Sequence, residues 1–221
     1  MTLSPRARMI AGFVLANTAI FLVAGFVLLN RPASPPSIQG VLLPDARDLP
    51  PFSLLDHHHQ AFINEDLLGQ WHLVSYGFTT CPDICPTTLA ELARLKTRLA
   101  ENGEQLRVLF YSVDHQRDTP QQLASYMPFF HADFVGLTYR DGNDDQHLPF
   151  EEGLGIAAQL IPDEDDPEGS YQVVHGVTLF LLNPQGQLQA ILKPGLDRQR
   201  NKAFDADTIY KDFLLLRDYF G

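Results

Sequence analysis

The rhythm of apolar and polar positions changes several times along this chain, and each change marks an element. Residues Met9 to Leu29 carry no charge, with Asn17 and Thr18 as the strongly polar side chains, and predict one helix long enough to span a hydrocarbon core. Residues 30–39 are rich in proline and serine, lack a hydrophobic period, and predict an extended linker. Phe52 to Leu55 reads as a short strand, followed by a turn at Asp56–Gln60, a second strand at Ala61–Ile63 and a helical turn at Asn64–Gly69. Trp71 to Phe78 is apolar and aromatic-rich, as a buried central strand would be. Leu89, Leu92, Leu95 and Leu99 then repeat at helical spacing until Asn102-Gly103. Leu106–Val113 predicts a second buried strand, and Thr119-Pro120 opens a helix to about Phe130, threonine as cap and proline in first position.

Further along, Phe134–Leu137 predicts a short strand and Leu148–Ala158 a helix. Thr178–Leu182 and Gln187–Leu192 flank the turn sequence Asn183-Pro-Gln-Gly186 and form a hairpin, before a last amphipathic helix at Asp205–Phe220. Strands alternating with helices, then a hairpin and a helix, define an α/β domain over residues 40–221. Its mixed sheet is flanked by helices in a thioredoxin-like pattern, with an added N-terminal β-hairpin and one transmembrane helix ahead of it.

Charge sets the surroundings. The chain of 221 residues has a formal net charge of −11, which disfavours nucleic acid as a partner. Arg6 and Arg8 precede the apolar run and Arg31 alone closely follows it, so residues 1–8 are expected in the cytoplasm. The run at 9–29 exceeds the roughly 7–15 apolar residues of a signal peptide and ends without a small-x-small site, which favours an uncleaved anchor. The domain is then extracytoplasmic, most simply in a bacterial periplasm, on a single-pass inner-membrane protein.

The chemistry gathers in Tyr76-Gly-Phe-Thr-Thr-Cys-Pro-Asp-Ile-Cys-Pro-Thr-Thr-Leu89, which holds both cysteines of the chain, Cys81 and Cys85. A disulfide there would close too short a loop to remove much entropy from the unfolded chain. Redox exchange or a soft metal explains the pair better. With Pro86 in the first helical position, Cys85 is expected as the helix N-cap, where the dipole favours a thiolate. Cys81, held extended by Pro82, lies on the preceding loop. Positions i and i+4 of a regular helix hold Cβ atoms about 5–6 Å apart, wider than the roughly 3.5–4.5 Å of a disulfide. A bridging metal asks for less distortion, and both states remain open.

A third ligand would complete a copper or zinc site, and imidazole is its usual source. Of the eight histidines, His175 stands just before the Thr178 strand, which is expected to pair near the cysteine-bearing strand. His57-His58-His59 could bind Cu(II) or Ni(II), although a solvated hairpin turn is the simpler reading. Asp163–Glu168 is either an acidic rim for partner docking or a solvated loop tip. Asp114 and Asp118 either orient the site through hydrogen bonds or cap the turn before Thr119.

The segment Gly77–Pro86, the segment Ser112-Val-Asp-His-Gln-Arg-Asp-Thr-Pro120 and the histidine before Thr178 together resemble the Sco/SenC family. These are membrane-tethered, thioredoxin-fold copper chaperones for the CuA centre of cytochrome c oxidase. The resemblance implies Cys81, Cys85 and His175 as copper ligands and matches Asp114 and Asp118 to an Asp-x-x-x-Asp segment beside the site. It implies as partners the oxidase subunit carrying CuA and other periplasmic copper carriers. Thr80 stands where the family commonly has histidine, and Val174 where it commonly has aspartate; neither change removes a ligand. Two other functions use the same residues: a thiol–disulfide reductase acting on oxidase cysteines, and a redox or copper sensor. Ordinary thioredoxin-like reductases use C-x-x-C with an opposing cis-proline, whereas this chain has C-x-x-x-C and no proline in His175–Thr178.

Overall fold

The computed structural model describes residues 4–29, 34–139, 145–162, 170–196 and 200–221. The chain divides into two compact units, Met1–Pro35 and Pro36–Gly221. The first is helix α1, Pro5–Leu29, which begins one turn earlier than its apolar run. Within it, Arg8–Leu29 is long and apolar enough to cross a membrane, with a mean hydropathy of 2.3. Its two polar side chains fold back on the helix: Asn17 Nδ2 donates to the Phe13 carbonyl at 2.8 Å and Thr18 Oγ1 to the Val14 carbonyl at 2.9 Å. These bonds satisfy part of each side chain's hydrogen-bonding capacity within the helix itself.

The second unit contains strands β1 (Gly40–Arg47), β2 (Ser53–Asp56), β3 (Ala61–Ile63) and β4 (His72–Gly77), then helix α2 (Ile84–Glu101). It continues with β5 (Arg107–Ser112), α3 (Pro120–Tyr126), β6 (Val135–Thr138), α4 (Leu148–Leu154), β7 (Ala158–Pro162) and β8 (Tyr171–His175). The chain closes with β9 (Leu179–Leu182), β10 (Leu188–Leu192) and α5 (Ala206–Phe220). Eight strands form one sheet in the order β1-β10-β9-β4-β5-β6-β2-β3, while β7 and β8 make a separate two-stranded sheet. The expected mixed sheet is present, with the added hairpin β2–β3 joined to it through β6.

Every residue of β4 is buried, the polar His72 and Ser75 included, which fits its mostly apolar and aromatic sequence. One face of the sheet is covered by Leu89, Leu92, Leu95 and Leu99 of α2 with Ile209, Phe213 and Leu216 of α5. The other buries Leu54, Phe62, Tyr111 and Phe150. Three expectations change. The helix from Leu148 ends at Leu154, because Gly155 adopts a left-handed φ of 76° and its N–H closes the last turn, leaving Ala158 to begin β7. The hairpin β7–β8 is an unforeseen element, and so is the edge strand β1, which pairs antiparallel with β10.

Strands β4, β5 and β6 run parallel. Their carboxyl ends therefore share one edge, where open α/β sheets collect ligands.

Candidate metal centre

Both cysteines follow the carboxyl end of β4. The Cys81 N–H donates to the Phe78 carbonyl at 3.2 Å, turning the chain out of the strand. Helix α2 then starts at Ile84, one turn secured by Thr87, whose N–H and hydroxyl both donate to the Asp83 carbonyl. Asp83 is the N-cap, so Cys85 is the second residue of the helix and Pro86 the third, a correction to the expected cap. Proline fits there equally well, because the first N–H groups of a helix have no internal partner. Cys85 is buried at 5% exposure and Cys81 is half-buried; both are free thiols.

Burial also reverses the expected ionisation. Desolvation, reinforced by the neighbouring Cys81, pushes the Cys85 thiol well up rather than down. The helix start favours a thiolate, but here the loss of water outweighs it. Space for Cys85 comes from Gly77: a Cβ there would lie 2.5 Å from the Cys85 sulfur.

His175 arrives from the other side as the last residue of β8. Its Nδ1 lies 2.7 Å from the Gly176 carbonyl, which can only accept, so Nδ1 carries the proton. Nε2 therefore turns its lone pair to Cys85, whose sulfur is 3.7 Å away. Burial lowers the His175 pKa, which favours the neutral, ligating form of the ring, and the Gly176 hydrogen bond opposes that shift. The ring packs edge-on against Tyr76 at 5.6 Å and Phe78 at 5.7 Å. Gly176 permits this approach, because a Cβ on it would sit 2.7 Å from the Tyr76 hydroxyl oxygen.

The donor atoms of Cys81, Cys85 and His175 all lie within 4.8 Å of one another. Bonds of about 2.0–2.3 Å to a single ion separate its donors by roughly 3.3–4 Å, so the trio needs little adjustment to hold one. The space behind Cys85 and His175 measures only about 10 Å³, too small for an organic substrate.

Asp114 and Asp118 are both fully buried on the loop after β5. Asp118 accepts from the Thr79 N–H at 2.8 Å, from the Thr79 hydroxyl at 2.6 Å and from the Ser112 hydroxyl at 2.6 Å. It thereby holds the chain two residues before Cys81. Burial raises its pKa, and the Ser112 and Thr79 bonds oppose that rise. Asp114 accepts from the Tyr171 hydroxyl and from Arg117 Nε, each at 2.5 Å, while the Arg117 guanidinium lies 4.2 Å over the Tyr171 ring. Tyr171 begins the strand that His175 ends. Helix α3 is capped by the Thr119 hydroxyl, which accepts from the Gln122 N–H as expected.

Of the remaining features, the turn at Asp56–Gln60 carries His57, His58 and His59 as expected, with His57 buried and the other two exposed. Thr80 is exposed, as is Val174 on the outer face of the hairpin. The acidic segment Asp163–Glu168 lies outside the described residues. Gly77, Tyr76, Phe78, Gly176 and Tyr171 shape the centre without having been singled out in the sequence. The sole hint was their proximity in sequence to the cysteines and to His175.

Residues 43–206 match the family model described as SCO1/SenC. A protein of Stutzerimonas stutzeri, named for copper binding, is 42% identical over 157 residues, covering 71% of this chain and 74% of its own. The mitochondrial SCO2 homologue of Bos taurus is 37% identical over 137 residues, covering 61% of this chain; the match spans 50% of the cattle protein's length. The crystal structure of Arabidopsis thaliana ScoI with copper bound superposes with a TM-score of 0.64 at 28% identity, covering 77% of this chain and 98% of that one.

Proposed function

Because the chain belongs to the SCO1/SenC family, we propose that it carries copper as cargo on Cys81, Cys85 and His175 and delivers it to the CuA centre of cytochrome c oxidase. The observation that carries this reading is the convergence of two sulfurs and one imidazole nitrogen within 4.8 Å. Thiolates suit Cu(I), and an added imidazole lets the same set accept Cu(II). Burial makes Cys85 costly to ionise, and a bound cation supplies the compensating charge. Support also comes from the relatives, one named for copper binding and one seen with copper bound.

In the same proposal, residues 9–29 anchor the chain in the inner membrane with residues 1–8 in the cytoplasm. Residues 30–39 form a linker and the domain 40–221 works in the periplasm, within reach of the oxidase and of other copper carriers. The length and apolarity of Arg8–Leu29 and the arginines before it support this orientation.

The test is Cu(I) and Cu(II) binding by the full chain in detergent, with Cys81→Ser, Cys85→Ser and His175→Ala made singly. Each variant is expected to weaken at least one ion by about tenfold or more. Affinities in His175→Ala equal to wild type for both ions would sink the three-ligand reading. The reductase reading predicts rapid exchange with a disulfide substrate that survives His175→Ala.

A further inference from the structure

We propose that the hairpin of β11 (Gly195–Leu196) and β12 (Lys202–Ala203) docks on anionic phospholipid headgroups, turning the sheet edge that carries the metal centre toward the membrane. This contact presupposes that residues 9–29 anchor the chain in a membrane, and it holds whichever ion the centre binds.

Charge sets this hairpin apart from its surroundings. The chain's formal net charge is −11, and the domain 40–221 stands at −14 once Arg6, Arg8 and Arg31 are set aside. Residues 193–202 run the other way, with Lys193, Arg198, Arg200 and Lys202 against the single acid Asp197. Lys193, Arg200 and Lys202 are exposed, and none has an ion-pair partner among the described residues. The acids next along the chain are engaged elsewhere. Asp205 accepts from the Thr208 N–H at 2.9 Å, Asp207 pairs with Arg98, and Asp212 accepts from the Gln39 N–H at 2.9 Å. Leu196 is 64% exposed and pairs across the hairpin with Lys202, which sets an apolar side chain beside a cation on one face. That combination suits the boundary between headgroups and acyl chains.

The tether from the anchor arrives at the same place. Ile38 packs on the core, the Gln39 carbonyl accepts from the Lys193 N–H at 3.0 Å, and Gln39 Nε2 donates to the Lys193 carbonyl at 2.9 Å. The Gln39 side chain also lies against Gly195, where a Cβ would come within 3.2 Å of it. With the chain pinned there, residues 30–37 cannot span more than roughly 30 Å, however they lie. The hairpin therefore stays within that reach of the apolar run. Strand register places the metal centre on the same side. Gly40 pairs with Leu192 and Leu192 with Leu179, while β9 runs antiparallel to β4, so the tether enters at the edge where β4 gives way to the cysteine turn. Phe204, two residues after Lys202, lines the small space behind Cys85 and His175. Cations held this close to an anionic surface are drawn to it, each by about 1 kcal/mol, or about fivefold in the docking equilibrium.

The experiment places the full chain, carrying Cys81→Ser and Cys85→Ser, in phosphatidylcholine vesicles with or without a quarter of phosphatidylglycerol. A fluorophore on Asn201→Cys reports approach to the bilayer through quenching by spin-labelled lipid. One on Gln185→Cys, in the β9–β10 turn at the opposite edge of the sheet, is the reference. Flotation with both kinds of vesicle tests the anchor by itself. Quenching at position 201 is expected to exceed that at 185, to rise with phosphatidylglycerol and to fall as salt is added. Lys193→Gln and Lys202→Gln are each expected to lower the ratio of docked to undocked domain about fivefold, with flotation unchanged. A chain that floats but is quenched equally at both positions would overturn the contact. So would quenching at 201 that ignores phosphatidylglycerol and both lysine variants, and either result would leave the cations to an acidic protein partner. A chain that fails to float would overturn the anchor, and the contact with it.

Discussion

The cysteine turn and the hairpin that carries His175 supply donors to one centre from different mechanical settings. Cys85 stands on a long helix against β4, a strand buried at every residue, with Gly77 leaving no spare room beside its sulfur. His175 ends a two-stranded sheet outside the main one, in which Gln159, Ile161, Gln172 and Val174 are exposed. That hairpin is pinned by Val173 against the core, by Tyr171 on Asp114 and Arg117, and by the His175 ring on Tyr76 and Phe78. Few buried apolar contacts place it toward the low-stability end of the fold. On the proposed function, a carrier that must both hold and release its ion would gain from this division, with two sulfurs on the rigid side and an imidazole on a lightly anchored arm.

The largest expected effect breaks the rigid half. Cys85→Ser is expected to lower Cu(I) affinity by about 1,000-fold, beyond the roughly 10–100-fold typical of residues that merely orient a ligand. Competitive titration checks this, and a loss no greater than that of Tyr171→Phe would erase the distinction between the two regions. Next comes acid. Burial, then the Arg107 charge, lowers the His72 pKa to about 4 at the start of β4, against the opposing pull of the Gln70 backbone. The unfolded chain takes up this proton near pH 6.5 and the folded one near pH 4. Stability is therefore complete above pH 6.5, falls between 6.5 and 4 by about 3 kcal/mol, and is unaffected by this group below that. Denaturant midpoints at pH 7, 5.5 and 4 in wild type and His72→Leu test it; equal losses in both would remove His72 as the cause.

A smaller effect is expected from Gly77→Ala, whose methyl meets the Cys85 sulfur and costs about 1–3 kcal/mol of stability. Copper affinity should fall with it, and thermal unfolding of the apo and loaded chains reads both. The smallest is Tyr171→Phe, which removes one donor from Asp114. About tenfold weaker copper binding is expected, carried by faster release, with an apo stability change of only about 1 kcal/mol. Unchanged release rates would show that the hairpin needs no such anchor.

The rigid half was largely legible in the sequence, and the arm was not. Trp71–Phe78 and the leucines of α2 announce themselves by periodicity, because burial there is uniform. The β7–β8 hairpin escapes for two reasons: Leu148–Ala158 keeps an apolar density that reads on through Gly155, and both its strands are only half-buried. Strand β1 is obscured by Pro44 and by the register irregularity between Leu42 and Arg47. His175 could be singled out by its position before β9, since β9 pairs with β4. The ionisation of Cys85 could not be read locally: the helix start is visible in sequence, while the walls that desolvate the thiol come from β4 and His175. Asp114 and Asp118 stood out through the family resemblance, but their partners, Tyr171 and Thr79, emerge only from the packing.

X-ray absorption at the copper edge of the Cu(I)-loaded full chain, in wild type and His175→Ala, tests the three-donor centre most directly. The account predicts two sulfur neighbours and one nitrogen in wild type, and the same two sulfurs without the nitrogen in the variant. Identical first-shell spectra from the two proteins would contradict it.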